Sequence, residues 1–99
     1  MTPDKVKEAF DNCAKMIHEA ADAQDTDIFD HPWPHDEVPE DETDLLCHAL
    51  YLCVEGKKLV DENRIEEAMR WLGFVQGVMW SALSLTINDL KDINKPEGA

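Results

Sequence analysis

Residues 41–84, DETDLLCHALYLCVEGKKLVDENRIEEAMRWLGFVQGVMWSALS, contain two helical patterns of apolar residues with almost no break between them. In 41–62 the apolar residues recur at intervals of three and four and fill one broad face, which predicts an amphipathic helix. Asn63 and Glu66 have the spacing of a capping box, which predicts that the next helix begins at residue 63 and continues to residue 84. A connection this short forces the two helices into an antiparallel αα-hairpin.

The rest of the chain predicts two more helices and a loop. Residues 2–23 carry an apolar stripe at helical spacing, with Thr2 as a candidate N-cap and Pro3 at the first helical position. Residues 24–40 contain three prolines and many acids, which predicts a long acidic loop. The pattern at the end of the chain predicts a short helix over residues 86–93.

The helix over residues 63–84 is predicted to lie at the centre of the bundle. Its apolar residues cover more than half of the helical circumference, which is wider than the stripe needed to pack against one neighbour. These residues are Ile65, Ala68, Trp71, Leu72, Phe74, Val75, Val78, Met79, Ala82 and Leu83. The predicted fold class is therefore all-α: one domain over residues 1–99, a three-helix bundle built on the αα-hairpin, with a short C-terminal helix.

The charge of the chain is strongly negative and unevenly distributed. The sequence has 22 acids and 9 bases, a formal net charge of −13, and no Lys or Arg between Lys15 and Lys57. Such a field repels nucleic acid and favours encounter with a basic partner surface. Two interpretations remain open: the acids keep the protein in solution, or they imitate phosphates and occupy a basic site on another protein. The candidate partner-binding residues are Asp36, Glu37, Glu40, Asp41, Glu42 and Asp44.

The sequence lacks the patterns of a membrane protein or an enzyme. No apolar run approaches the roughly 18 residues of a membrane span, and no signal peptide is apparent, which predicts a cytoplasmic protein. An odd number of cysteines without CxxC spacing predicts reduced thiols in the core. His31 and His35 are four residues apart, but the prolines between them exclude the helical geometry of a zinc site. We therefore predict no catalytic residue, no metal and no cofactor.

The segment RWLGFVQGVMW, residues 70–80, places two glycines inside a predicted helix, where each costs about 1 kcal/mol relative to alanine. On a helical wheel both glycines lie on the polar side, beside an arginine and a tryptophan, which are residue types enriched at interfaces. The candidate interface consists of Arg70, Gly73, Gly77, Trp80 and Ser81. Its occupant stays open between another segment of this chain, a second copy in a homo-oligomer (a dimer), and a foreign partner or ligand.

Two segments within residues 64–96, EEAMRWLGFVQGVMW and TINDLKDINKP, resemble the C-terminal half of small accessory proteins encoded by tailed bacteriophages. The resemblance is strongest at WLGFVQG and carries no catalytic role. It implies a phage product that acts in the cytoplasm of the bacterial host. Small acidic phage proteins of this size include host-takeover factors and inhibitors of bacterial defence, such as anti-CRISPR proteins.

These observations favour a non-enzymatic inhibitor or adaptor that binds a basic surface on a host protein, such as a defence or nucleic-acid-binding complex, without binding nucleic acid directly. One alternative is an oligomeric small-ligand binder, in which Arg70, Trp80 and Ser81 contact a signalling nucleotide. Another alternative is a structural phage component whose function is self-assembly. The three hypotheses differ in which surface of the protein is used.

Overall fold

The structure is a computed structural model, and the residues that it describes are 2–32, 38–39, 41–83 and 92–94. Three long helices pack together: α1 (Pro3–Ala23), α2 (Glu42–Asp61) and α3 (Ile65–Ala82). The described ranges contain helices, turns and irregular segments but no strand. The prediction of an all-helical chain with three helices packed against one another is confirmed.

Side-chain caps define where α1 and α2 begin. Thr2 Oγ1 accepts a hydrogen bond from the backbone N–H of Lys5 at 3.2 Å, and Asp41 Oδ1 accepts one from the N–H of Asp44 at 2.8 Å. Each bond satisfies a donor that the helix itself leaves without a partner. Asp41 is therefore the N-cap of α2 and not its first helical residue.

The predicted capping box at Asn63 is wrong, because Asn63 ends α2 instead of starting α3. Its φ of 63° is left-handed, and its N–H donates to the carbonyl of Val60 at 3.0 Å. The next N–H, of Arg64, donates to the carbonyl of Leu59 at 2.8 Å. This pair of bonds is a Schellman motif, whose left-handed position asparagine occupies more readily than most residues do. As a result, α3 begins without a side-chain cap.

The C-terminal end of α1 has the same motif. Asp25 has a φ of 54°, and its N–H donates to the carbonyl of Asp22 at 3.0 Å. The N–H of Thr26 donates to the carbonyl of Ala21 at 2.9 Å. The chain then continues to His31, whose N–H donates to the carbonyl of Cys47 in α2 at 3.2 Å.

The central helix is α2, not α3 as predicted. α2 contacts both α1 and α3 more extensively than those two contact each other. The buried residues of α2 are Leu46, Cys47, Ala49, Leu50, Leu52, Cys53, Gly56, Leu59 and Val60, whereas those of α3 are only Ala68, Leu72, Val75, Val78 and Met79. Phe74, predicted to face the core, is 52% exposed because it lies about 100° around the helix from buried Val75.

Contacts at the helix ends show how the three helices are arranged. Lys7, near the start of α1, pairs with Asp61 at the end of α2, with 2.7 Å between Nζ and Oδ1. At the opposite end, Ala21 of α1, Leu46 of α2 and Ala82 of α3 line a cavity of about 40 Å³. The ends of α1 and α3 therefore lie beside the start of α2.

A short segment near the C-terminus attaches to this bundle. Residues 92–94 are helical, and Ile93 is 7% exposed within the core. Gln76 Nε2 donates to Asn94 Oδ1 at 2.7 Å, and Asn94 Nδ2 donates to Gln76 Oε1 at 3.2 Å. Most of the helix predicted over residues 86–93 lies outside the described residues.

Candidate functional site

One end of the bundle carries carboxylates that the described part of the chain does not neutralise. This is the end at which α1 and α3 finish and α2 begins, and we call it the acidic end. Its residues are Asp22, Asp25, Asp27, Asp41, Glu42 and Asp44. No ion pair within the described residues involves any of them. The other predicted partner-binding residues, Asp36, Glu37 and Glu40, lie outside the described residues.

The opposite end, which we call the paired end, holds most of the cations. Its ion pairs are Lys5–Glu8, Lys7–Asp61, Lys57–Asp11, Lys58–Glu55, Arg64–Glu62 and Arg64–Glu67. The hydrogen bond from Lys58 to Glu55 raises the pKa of Lys58, and the hydrogen bond from Lys7 to Asp61 does the same for Lys7. Most carboxylates at the paired end therefore have an ion-pair partner, with Asp4 and Glu66 as exceptions among the described residues, whereas none of the carboxylates at the acidic end has one.

Asp22, at the acidic end, has an unfavourable position relative to the dipole of α1. Asp22 lies in the last turn of α1, and that turn contains no basic residue. The C-terminal end of a helix carries partial negative charge, so lysine or arginine is the favourable residue there. Glu42 and Asp44, in the first turn of α2, have the favourable sign. The carboxylate of Asp22 thus contributes nothing favourable to the helix that carries it.

A groove of about 350 Å³ lies at the edge of the acidic end. Its lining residues are Val38, Pro39, Asp41, Glu42, Leu45, Ser81 and Ala82. Apolar walls beside carboxylates suit the long side chain of a lysine or arginine, whose stem is apolar and whose head is charged. Ser81 belongs to α3, so the groove connects the acidic end with the predicted interface on that helix.

The structure places all five predicted interface residues on one exposed side of α3, which we call the glycine face: Arg70, Gly73, Gly77, Trp80 and Ser81. Apart from the adjacent residues and the surrounding backbone of α3, a Cβ at Gly73 or Gly77 would meet no atom of the described residues within 4 Å. The face is more apolar than the sequence predicts. Phe74, which was predicted to face the core, is 52% exposed, and Met69, for which no position was predicted, is 43% exposed. Trp80 is 56% exposed. Exposed apolar side chains grouped on one helix are typical of an interaction surface.

Arg70 differs from the other cations of the described chain. Six lysines and arginines form ion pairs: Lys5, Lys7, Lys15, Lys57, Lys58 and Arg64. Arg70 forms none with any residue that the structure describes, although the chain has more than twice as many acids as bases. Its guanidinium is available for an external carboxylate.

The thiols are core groups. Cys13, Cys47 and Cys53 are buried and unpaired, as the sequence predicts. Burial raises the pKa of Cys13 to about 11, against a smaller opposite effect from its hydrogen bond with Gln76, and burial raises the pKa of Cys53 further. A protonated, enclosed thiol is a poor nucleophile.

Among the described residues, no group of three or more His, Cys, Asp or Glu is arranged to hold a metal ion, and His35 lies outside them. No helix within the described ranges has the length and apolar character needed to cross a membrane. Comparison of the chain with known protein families, with curated proteins and with solved structures found no match.

Proposed function

We propose that this chain is a non-enzymatic binding protein that docks its acidic end onto a basic surface of a host protein and thereby inhibits or redirects that protein. The observation that carries the proposal is the separation of charge between the two ends of the bundle. Cations and carboxylates pair at the paired end, while no carboxylate of the acidic end has an ion-pair partner within the described chain.

Solubility alone does not account for this separation. Charge spread evenly over the surface would keep the protein in solution equally well. Asp22 adds negative charge where the dipole of α1 is already negative, at a cost to stability. A basic partner would remove that repulsion on binding, and the concentrated field would speed the encounter.

The class of partner follows from the same chemistry. Carboxylates spaced over a compact surface imitate the phosphates of a nucleic acid, so the best-matched partner is a protein with a basic nucleic-acid-binding site. The resemblance of residues 64–96 to phage accessory proteins supports a bacterial defence or nucleic-acid-binding complex as that partner. The αα-hairpin of α2 and α3 would be the rigid frame that carries the acidic end.

The test is affinity capture from a bacterial lysate with two matched double variants. Asp22→Lys/Asp27→Lys reverses two exposed charges at the acidic end, neither of which forms an ion pair within the described chain. Asp4→Lys/Glu62→Lys reverses two exposed charges at the paired end, where the contact of Glu62 with Arg64 is long, at 3.8 Å. Both variants change the net charge by the same amount.

We expect the wild-type protein and the paired-end variant to capture the same protein, and the acidic-end variant to lose it while keeping the helical circular dichroism spectrum. Elution of the captured protein by salt would agree with an electrostatic contact. Equal capture by the two variants would mean that the position of the charge is irrelevant, and the proposal would be wrong.

A further inference from the structure

We infer that the glycine face is the contact of a two-fold symmetric homodimer, in which two copies of α3 cross in opposite directions and Arg70 of each copy enters the groove of the other. This inference shares the groove carboxylates Asp41 and Glu42 with the proposed function, but its tests measure mass and cross-linking and need no host partner. The occupant of the glycine face would be a second copy of this chain.

The glycine face has the shape required for close helix packing. Gly73 and Gly77 belong to one i, i+4 row of α3 that begins at Met69 and ends at Ser81. Rows of this kind pack against each other when two helices cross at about 50°. The absence of Cβ atoms at the two glycines lets the helix backbones approach closely, because the space above them is open.

This row is complementary to itself when it is reversed. Gly73 and Gly77 lie two residues on either side of position 75, and Met69 and Ser81 lie six residues on either side. In an antiparallel crossing, each glycine therefore meets the other glycine of the second copy, and each methionine meets a serine. A large residue opposite a small one allows the two surfaces to interdigitate, and the two-fold axis repeats the contact.

Charge selects the antiparallel arrangement over the parallel one. α3 has 18 residues and is about 27 Å long, which exceeds the Debye length of about 8 Å at physiological salt. A parallel pair would bring the two acidic ends together. An antiparallel pair places the acidic end of each copy beside the paired end of the other and separates the two acidic ends.

Arg70 is the cation that this arrangement uses. It lies next to Met69 on α3, and Met69 is opposite Ser81 of the second copy, which lines the groove containing Asp41 and Glu42. The apolar walls of that groove suit the stem of an arginine and its carboxylates suit the guanidinium. The one described cation without an ion pair thereby meets unpaired carboxylates.

The first experiment measures mass in solution by light scattering. We expect twice the chain mass of 11.3 kDa for the wild-type protein and for Val54→Leu, which enlarges an exposed apolar residue of α2 away from the face. Gly77→Leu should be a folded monomer, because its side chain enters open space in one copy but blocks the second. A monomeric wild type, or a dimeric Gly77→Leu, would overturn the inference.

The second experiment tests the role of Arg70 by exchanging charges. Arg70→Glu should halve the mass, and Arg70→Glu/Glu42→Arg should restore the dimer. The control Arg70→Glu/Asp4→Arg has the same net charge but changes an acid outside the groove, and it should stay monomeric. If Glu42→Arg and Asp4→Arg both restore the dimer of Arg70→Glu, net charge explains the effect. That result would contradict the contact between Arg70 and the groove.

The third experiment tests the direction of the two helices with disulfide formation. Met69→Cys and Ser81→Cys should cross-link to each other when mixed, and neither should cross-link alone, because like positions lie about 18 Å apart along the helix axis. The native cysteines are buried and give little background. Cross-linking of each variant with itself would show a parallel pair and would overturn the antiparallel arrangement.

Discussion

The ring of Phe10 in α1 lies directly against the backbone of Gly56 in α2. A Cβ at Gly56 would be 2.6 Å from Cε2 and 2.7 Å from Cε1 of that ring, and closer still to Cζ. No side chain fits between them, so α1 approaches α2 more closely than any other residue at this position would allow. This contact lets α1 pack closely against α2.

Gly56→Ala should therefore destabilise the fold although alanine favours a helix. We expect the free energy of unfolding to fall by about 1–3 kcal/mol from overpacking. The matched control is Gly73→Ala, which adds the same methyl group in open space. This substitution should raise the free energy of unfolding by up to about 1 kcal/mol. Urea unfolding at a dilution where the protein is monomeric measures both. Equal effects of the two substitutions would contradict the contact.

Asp25 and Asn63 both occupy left-handed positions at helix ends, with φ of 54° and 63°. Glycine adopts this conformation without the steric cost of a Cβ, so Asp25→Gly and Asn63→Gly should each raise the free energy of unfolding, by up to about 1 kcal/mol. The gain should be larger at Asp25, because a negative charge next to the C-terminal end of α1 is also removed. A loss of stability in both variants would argue against the Schellman motifs.

The buried thiols predict how stability changes at alkaline pH. The pKa of Cys13 is raised from 9.0 to about 11 by burial, so above pH 9 the folded state holds a proton that the unfolded state has lost. The free energy of unfolding should therefore decrease as pH rises from 9 to 11, by up to about 3 kcal/mol from this group. Cys53 has a shift of the same direction.

Urea unfolding as a function of pH tests this prediction, with Cys13→Ala as the control. The control should have a shallower decrease over the same interval, whatever its stability at pH 7. Lys7 and Lys58, whose pKa values are also raised, contribute a decrease of the same sign to both proteins. An identical slope with and without Cys13 would contradict the assignment.

The reciprocal amide pair of Gln76 and Asn94 should hold residues 92–94 against the bundle. Gln76→Ala and Asn94→Ala are expected to be non-additive in a double-mutant cycle, with a coupling of about 0.5–1.5 kcal/mol. Ile93→Ala removes a core side chain and should cost about 2–5 kcal/mol. Zero coupling in the cycle would show that the two amides act independently.

Local patterns in the sequence were sufficient to predict the three long helices and the cap at Thr2. They were not sufficient at Asn63. Asparagine followed three residues later by Glu66 is favoured as an N-cap, but asparagine is also favoured at the left-handed position that follows a helix. The bond from Arg64 to the carbonyl of Leu59 decides between the two. Phe74 was misplaced for a related reason: it lies at the edge of the apolar arc, and a helical wheel does not show where the neighbouring helices end.

The position of the glycine face could be predicted because it depends on a single helix. The charge separation could not, because it depends on how distant segments pack. Lys7 meets Asp61 across 54 positions of sequence, and Lys57 meets Asp11 across 46. The sequence shows a gap without cations between Lys15 and Lys57, but only the packing shows that these pairs leave the other end of the bundle unbalanced.

The measurement that tests the central claim most directly is the unfolding free energy of Asp22→Lys against that of Asp4→Lys, at low and high salt. If the carboxylate of Asp22 is not used by the fold, Asp22→Lys should be more stable than the wild type at low salt, by up to about 1 kcal/mol. Asp4→Lys should be less stable, because Asp4 suits the first turn of α1. Both differences should shrink in high salt. A less stable Asp22→Lys would show that the fold requires this carboxylate, which would contradict its role as a charge kept for binding.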